Sequence, residues 1–120
     1  GSDGRNFLFG TELSDAINGG PYDDVLVGRG GNDTFNGSAG DDSFLPWGSM
    51  QDPSDSSSNV RVDGGLGLDR VYFNGVAASF AGSSACKISQ CTMKSVHQGG
   101  RAELKNIELL IFEDKTQRLN

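Results

Sequence analysis

The 120-residue sequence predicts an all-β protein: a flattened roll of two parallel sheets, followed by a small β cap. Three observations carry the expectation. Glycine recurs on a nine-residue period, and one large apolar residue recurs at a constant offset within each nine. Apolar residues make up only 35% of the chain while 18 residues are Gly, about double ordinary usage, so something besides apolar burial must help hold the fold.

Set out in nines from residue 1, the chain reads GSDGRNFLF, GTELSDAIN, GGPYDDVLV, GRGGNDTFN and GSAGDDSFL, without gaps. The first position is always Gly (Gly1, Gly10, Gly19, Gly28, Gly37) and the eighth is always large and apolar (Leu8, Ile17, Leu26, Phe35, Phe44). The sixth is Asn6, then Asp15, Asp24, Asp33 and Asp42. Each nine divides into a turn of about six residues, whose glycines permit positive φ, and a strand of about three. The eighth residue points inward because strand side chains alternate. Two nonapeptides therefore make one coil of the roll, and repeats of like parity stack.

Residues 46–63 break the pattern with two prolines and a serine run, and are read as a loop or an extra coil. GGLGLDRVY, residues 64–72, resumes it in phase, with Asp69 and Val71 at the sixth and eighth positions. If 46–63 loop out as one whole coil, parity is unchanged. Residues 73–120 are expected to form the cap, because a roll leaves sheet edges exposed and repeat arrays need atypical ends. Val71, Phe73, Phe80, Ile88, Val96, Leu104, Ile107, Leu110 and Phe112 are spaced like short strands joined by Gly and Ser turns, and almost no helix is expected.

The net charge of −6 is unevenly placed, −8 over residues 1–60 and +2 over 61–120, so the acid belongs to the repeats. The few large side chains there recover little against the cost of ordering so many turns, and stacked aspartates such as Asp24 and Asp42 repel. A counter-ion is required.

GGLGLDRVY fits every specified position of GG-x-G-x-D-x-U-x, with U large and apolar, and residues 1–45 and 64–72 resemble the RTX (repeats-in-toxin) calcium-binding nonapeptide family. The tail Asn106, Ile107, Glu108, Leu110, Phe112 and Asp114 is similar to the N-I-E-x-L-x-F-x-D stretch that follows the last repeat in many such proteins. The resemblance implies a right-handed parallel β-roll holding about three to four Ca2+ ions between turns of like parity. Calcium suits the deficit because it takes six to eight oxygens, backbone carbonyls included.

Carried over residue by residue, one site uses Thr11, Leu13 and Asp15 with Gly28, Gly30 and Asp33. A second uses Gly20, Tyr22 and Asp24 with Gly37, Ala39 and Asp42. A third uses Ser2, Gly4 and Asn6 with Gly19, Pro21 and Asp24. A fourth, across the looped-out segment, uses Arg29, Gly31 and Asp33 with Gly64, Leu66 and Asp69. Leu13 and Tyr22 depart from the family's preferred Gly at the fourth position, and Asp23 and Asp41 at the fifth are expected to be solvated.

Other chemistry is sparse. Cys86 and Cys91 flank KISQ, a spacing that suits either a disulfide-closed hairpin or two free thiols. His97 is the only histidine, which leaves no His cluster, and neither a phosphate loop nor H-E-x-x-H is present, so a non-catalytic module is expected. Trp47 and Met50 are expected to cover the end of the roll. No apolar run is long enough for a membrane span, and nothing points to nucleic acid.

The resemblance implies a calcium-binding module of a larger secreted protein, exported by type I secretion, folding in extracellular calcium and packing beside neighbouring domains. The alternative is an accessory module for an anionic polysaccharide of the alginate type. Bound calcium would neutralise the acid, leaving Arg61, Arg70, Lys87, Lys94, Arg101 and Lys105 to meet a polyanion.

Overall fold

The computed structural model describes residues 7–10, 16–28, 32–45, 59–73, 77–82, 85–96 and 99–119. Strands β1 (Phe7–Phe9), β2 (Ala16–Asn18), β3 (Val25–Val27), β4 (Thr34–Asn36) and β5 (Ser43–Leu45) occupy positions seven to nine of successive nonapeptides. They are followed by β6 (Asn59–Asp63), β7 (Arg70–Tyr72), β8 (Phe80–Ala81), β9 (Cys91–Ser95), β10 (Arg101–Lys105), β11 (Leu109–Ile111) and β12 (Thr116–Arg118). The helical content among the described residues is 3-10 only, at Ala77–Ser79 and Ala85. No helix is long and apolar enough to cross a membrane among those residues.

Alternate strands join alternate sheets. The first sheet runs β1-β3-β5-β7-β11-β12 and the second β2-β4-β6-β10-β9-β8. All pairings from β1 to β7, and those of β6 with β10 and β7 with β11, are parallel. The chain is an all-β, two-sheet parallel roll, as the period predicts. β10 and β11 add one further coil without any glycine repeat, and antiparallel β12, β9 and β8 close the two sheets beyond it.

The structure corrects the parity of the interruption. Phe7 faces Val25 and Val25 faces Ser43, a step of 18 residues per coil. Above β4 and β5 the step becomes 27: Arg61 lies over Thr34 and Arg70 over Ser43. The interruption thus adds one nonapeptide length to the coil, not a whole coil. The reason is legible in NVRVD: Val60 and Val62 alternate with polar residues and reach 1% and 3% exposure in the core. The rest of the segment, with Trp47 and Met50, lies outside the described residues, as does His97.

The eighth-position side chains fill the space between the sheets. Leu26, Phe35, Phe44 and Val71 are buried, with the Phe35 and Phe44 rings edge to face at 6.2 Å. Leu8 and Ile17, in the first described coil, have a paired strand on one side only among the described residues and are half-buried. At the other end Phe73, Phe80 and Phe112 form a ring cluster with centroids 5.1 to 5.8 Å apart. Val96 departs from expectation: it follows the last residue of β9 and is 59% exposed, while its neighbour Ser95 is buried.

Cys86 and Cys91 form a disulfide. It closes a hairpin in which Lys87 and Gln90 exchange backbone hydrogen bonds of 3.0 and 3.1 Å. Closing so short a loop stabilises by about 2 kcal/mol on the chain-entropy account. Replacing both cysteines by serine is therefore expected to lower the unfolding free energy, measured by urea denaturation in calcium, by about that amount.

Candidate metal centre

Turns 19–24, 37–42 and 64–69 and the short bend 106–108 stack along the edge where the chain passes from the second sheet to the first. Their sixth-position carboxylates form a ladder. The Asp24 amide donates to Asp42 Oδ1 (2.9 Å), the Asp42 amide to Asp69 Oδ1 (2.8 Å), and the Asp69 amide to Glu108 Oε1 (2.7 Å). Asp24, Asp42 and Asp69 are at most 2% exposed. One oxygen of Asp42 and of Asp69 is thereby used, while Oδ2 of each, like Oδ2 of Asp24 and Asp33, is buried without a hydrogen bond.

The direction of these oxygens follows from the glycines beneath them. A methyl group placed on Gly19 would meet Asp24 Oδ2 at 2.8 Å and the Gly37 carbonyl oxygen at 3.2 Å. On Gly37 it would overlap Asp42 Oδ2 and meet the Gly64 carbonyl oxygen at 2.8 Å. On Gly64 it would meet Asp69 Oδ2 at 2.6 Å and overlap the Asn106 carbonyl oxygen. Three times over, a carboxylate oxygen and a carbonyl oxygen of the next coil face one point. Buried carboxylate oxygens without hydrogen bonds, set beside carbonyl oxygens, suit a hard cation that coordinates oxygen. Among the described residues no group of three or more His, Cys, Asp or Glu side chains could hold a metal by itself, so carbonyls are indispensable to any such centre.

Local hydrogen bonds shape the turns. The ninth-position Asn36 and Asp63 accept from the amides of Ser38 (3.1 Å) and Gly65 (3.0 Å), two residues on. The second-position residues Gly20, Ser38 and Gly65 all have positive φ. At the fourth position Gly40 and Gly67 have positive φ, whereas Tyr22 does not; its departure from Gly gives turn 19–24 a different path. Asp23 and Asp41 are not merely solvated: Asp23 Oδ1 accepts from the Asp41 amide (2.6 Å) and Asp41 Oδ1 from the Leu68 amide (2.8 Å), an outer ladder beside the buried one.

Of the residues expected to hold metal, the structure stacks Asp24, Gly37 and Asp42, with Gly20, Tyr22 and Ala39 in the same two turns. Gly19 lies beneath them. The expected partnership of Asp33 with Asp69 is overturned. Asp69 stands over Asp42, and Asp33 lies on the opposite edge, where the Arg61 amide donates to its carbonyl oxygen (3.0 Å) and Val60 occupies the level above. That acidic series stops there, because a valine has no side-chain oxygen to offer. Gly28 is buried on the same side and donates to the Leu45 carbonyl (3.0 Å), whereas Gly64 and Leu66 belong with Asp69 over turn 37–42. Asn6, Thr11, Leu13, Asp15, Gly30, Ser2, Gly4, Arg29 and Gly31 lie outside the described residues. Glu108 and Asn106, recognised in the sequence only as tail residues, complete the top of the ladder. Their position relative to Asp69 is set by strand pairing, which no motif encodes.

Burial pushes the Asp42 carboxyl up to about 7, with Asp24 and Asp23 adding like charge. Burial likewise pushes Asp69 up to about 8, with Asp42 and Glu108 adding like charge. A carboxyl raised in the fold above its ordinary 3.8 favours the folded state below about pH 4, and that support is lost as pH rises through 7 to 8. The metal-free chain is therefore expected to hold more β structure by circular dichroism at pH 5 than at pH 8. Higher pH removes the competing protons and should tighten cation binding.

The six basic candidates do not share a surface. Arg61, Lys94, Arg101 and Lys105 are exposed on the second sheet, where Arg61 pairs with Glu103 at 3.0 Å. Arg70 is on the first sheet, its Nη1 donating to Ser43 Oγ (3.2 Å), and Lys87 lies in the disulfide hairpin.

The repeat seen in the fold is also recognised by comparison. A family model described as the RTX calcium-binding nonapeptide repeat, in four copies, matches residues 9–44. Residues 9–44 are RTX calcium-binding repeats. Among curated proteins none matches the chain. Among solved structures, the extracellular lipase LipA from Serratia marcescens is similar at 22% identity and a TM-score of 0.40. The alignment covers 92% of this chain and 14% of the lipase chain, so this chain spans about a seventh of that protein's length.

Proposed function

We propose that the chain is a non-catalytic calcium-binding module of a larger secreted protein, in which ions bridge successive turns and folding is completed by calcium. One observation carries the reading: Asp42 and Asp69 each bury an oxygen with no hydrogen bond, facing a carbonyl of the coil above. Binding free energy then becomes folding free energy, because the ligands come from turns that lie together only in the roll. One ion lies between Asp24 and the turn of Asp42, and another between Asp42 and the turn of Asp69. Asn6, Asp15 and Asp33, with the carbonyls named from the repeat, are the proposed ligands of the remaining sites. The disulfide supports an oxidising, extracellular setting. The accessory polyanion-binding reading draws on Arg61, Lys94, Arg101 and Lys105, exposed on the second sheet, with Arg70 and Lys87 elsewhere.

Equilibrium dialysis of the 120-residue chain with radioactive calcium tests the reading. Two or more ions bound per chain, undisplaced by equimolar magnesium, are expected; no binding at millimolar calcium would refute it. A finer probe is Gly37→Ala, whose methyl would sit between Asp42 Oδ2 and the Gly64 carbonyl. It is expected to abolish binding at that level, read as one ion fewer.

A further inference from the structure

We propose that a divalent cation, calcium by its oxygen donors, also binds where the last repeat meets the C-terminal coil. Asp69 Oδ2, the Asn106 carbonyl and the Glu108 carboxylate would hold it. This rests on the calcium reading above and extends it to residues outside the repeats and outside the matched stretch 9–44.

Asp69 is fully buried, its Oδ1 accepts from the Asp42 amide, and its Oδ2 has no hydrogen bond. Asn106 O converges with that oxygen beside Gly64, as Gly64 O converges with Asp42 Oδ2 beside Gly37. The third level therefore reproduces the two below it, although a three-residue bend has replaced the six-residue turn.

The bend is built to present that carbonyl. Asn106 has φ 57°, a left-handed conformation that few residues other than Gly adopt. It is held there by its side chain, whose Nδ2 donates to Asp63 Oδ1 (2.9 Å), the same oxygen that accepts from the Gly65 amide. Its backbone amide is fixed by the Ile88 carbonyl (2.7 Å). Glu108 accepts the Asp69 amide through Oε1, which brings a second carboxylate to the same level. The charges that reach Asp69 are those of Asp42 and Glu108, both negative, and a divalent cation answers both. Carbonyls of turn 64–69 and water would complete six to eight oxygens. The ion would clamp β10 and β11 onto the repeats, making the C-terminal coil part of the calcium-dependent unit.

The test compares the 120-residue chain with Glu108→Gln, which keeps an oxygen for the Asp69 amide and removes the charge. Bound calcium is counted by equilibrium dialysis, and β content is followed by circular dichroism at saturating calcium. The expected result is one ion fewer, or one site weakened at least tenfold, with β content preserved. An unchanged count and affinity would overturn the inference while leaving the calcium reading intact. So would a variant that stays unfolded at saturating calcium, since Glu108 would then be structural first. A parent chain that binds no calcium would overturn the calcium reading itself.

Discussion

Chelating calcium from the chain at pH 8 is expected to abolish most of its β signal in circular dichroism and to collapse the dispersion of its amide resonances. Calcium should restore both in one cooperative step. The expectation follows from what is stacked. Asp24, Asp42 and Asp69 lie in one column with a spare buried oxygen each, and Glu108 follows at the top. Without a cation, like charges meet at neighbouring levels in a poorly solvated place, where burial already holds the Asp42 and Asp69 carboxyls well above their usual range. Strands of three residues, each paired through only a few hydrogen bonds, cannot oppose this. The C-terminal strands should melt with the repeats, because β10 and β11 pair directly on β6 and β7. Equal β content in excess chelator at pH 8 would contradict the account.

Truncating Phe44 to alanine is the second large effect. Phe44 is fully buried, touches the Phe35 ring edge to face, and lies on the strand that spans the change from an 18-residue to a 27-residue step. A cavity of that size costs about 3–5 kcal/mol. In a module whose folding is linked to calcium the loss appears as a higher calcium requirement, since each bound ion contributes through the logarithm of its concentration. With about three ions taken up together, a loss of about 4 kcal/mol shifts the calcium midpoint upward by about tenfold, read by titration with circular dichroism. Ligand residues are untouched, so the number of ions at saturation should not change. An unshifted midpoint would show that apolar burial at the eighth position contributes little to the fold.

Glycine, aspartate and one large apolar residue on a nine-residue period determined by themselves that the chain alternates turn and strand, that Leu26, Phe35, Phe44 and Val71 enter the core, and that a column of acids lines an edge. These are local consequences of period and side-chain direction, and they need no knowledge of which coil lies above which. Stacking was decided only by the tertiary structure. The interruption keeps the phase of nine whether it adds one nonapeptide or two, but the two cases put Asp69 over different acids. Pairing of Val60 and Val62 with β4 settles it, placing Asp69 over Asp42 and Val60 over Asp33. Glu108 and Asn106 are hidden for the same reason: they reach Asp69 from 39 and 37 residues away, through β7 and β11 lying side by side. A contact of that kind belongs to the packing of strands and leaves no spacing in the sequence to read.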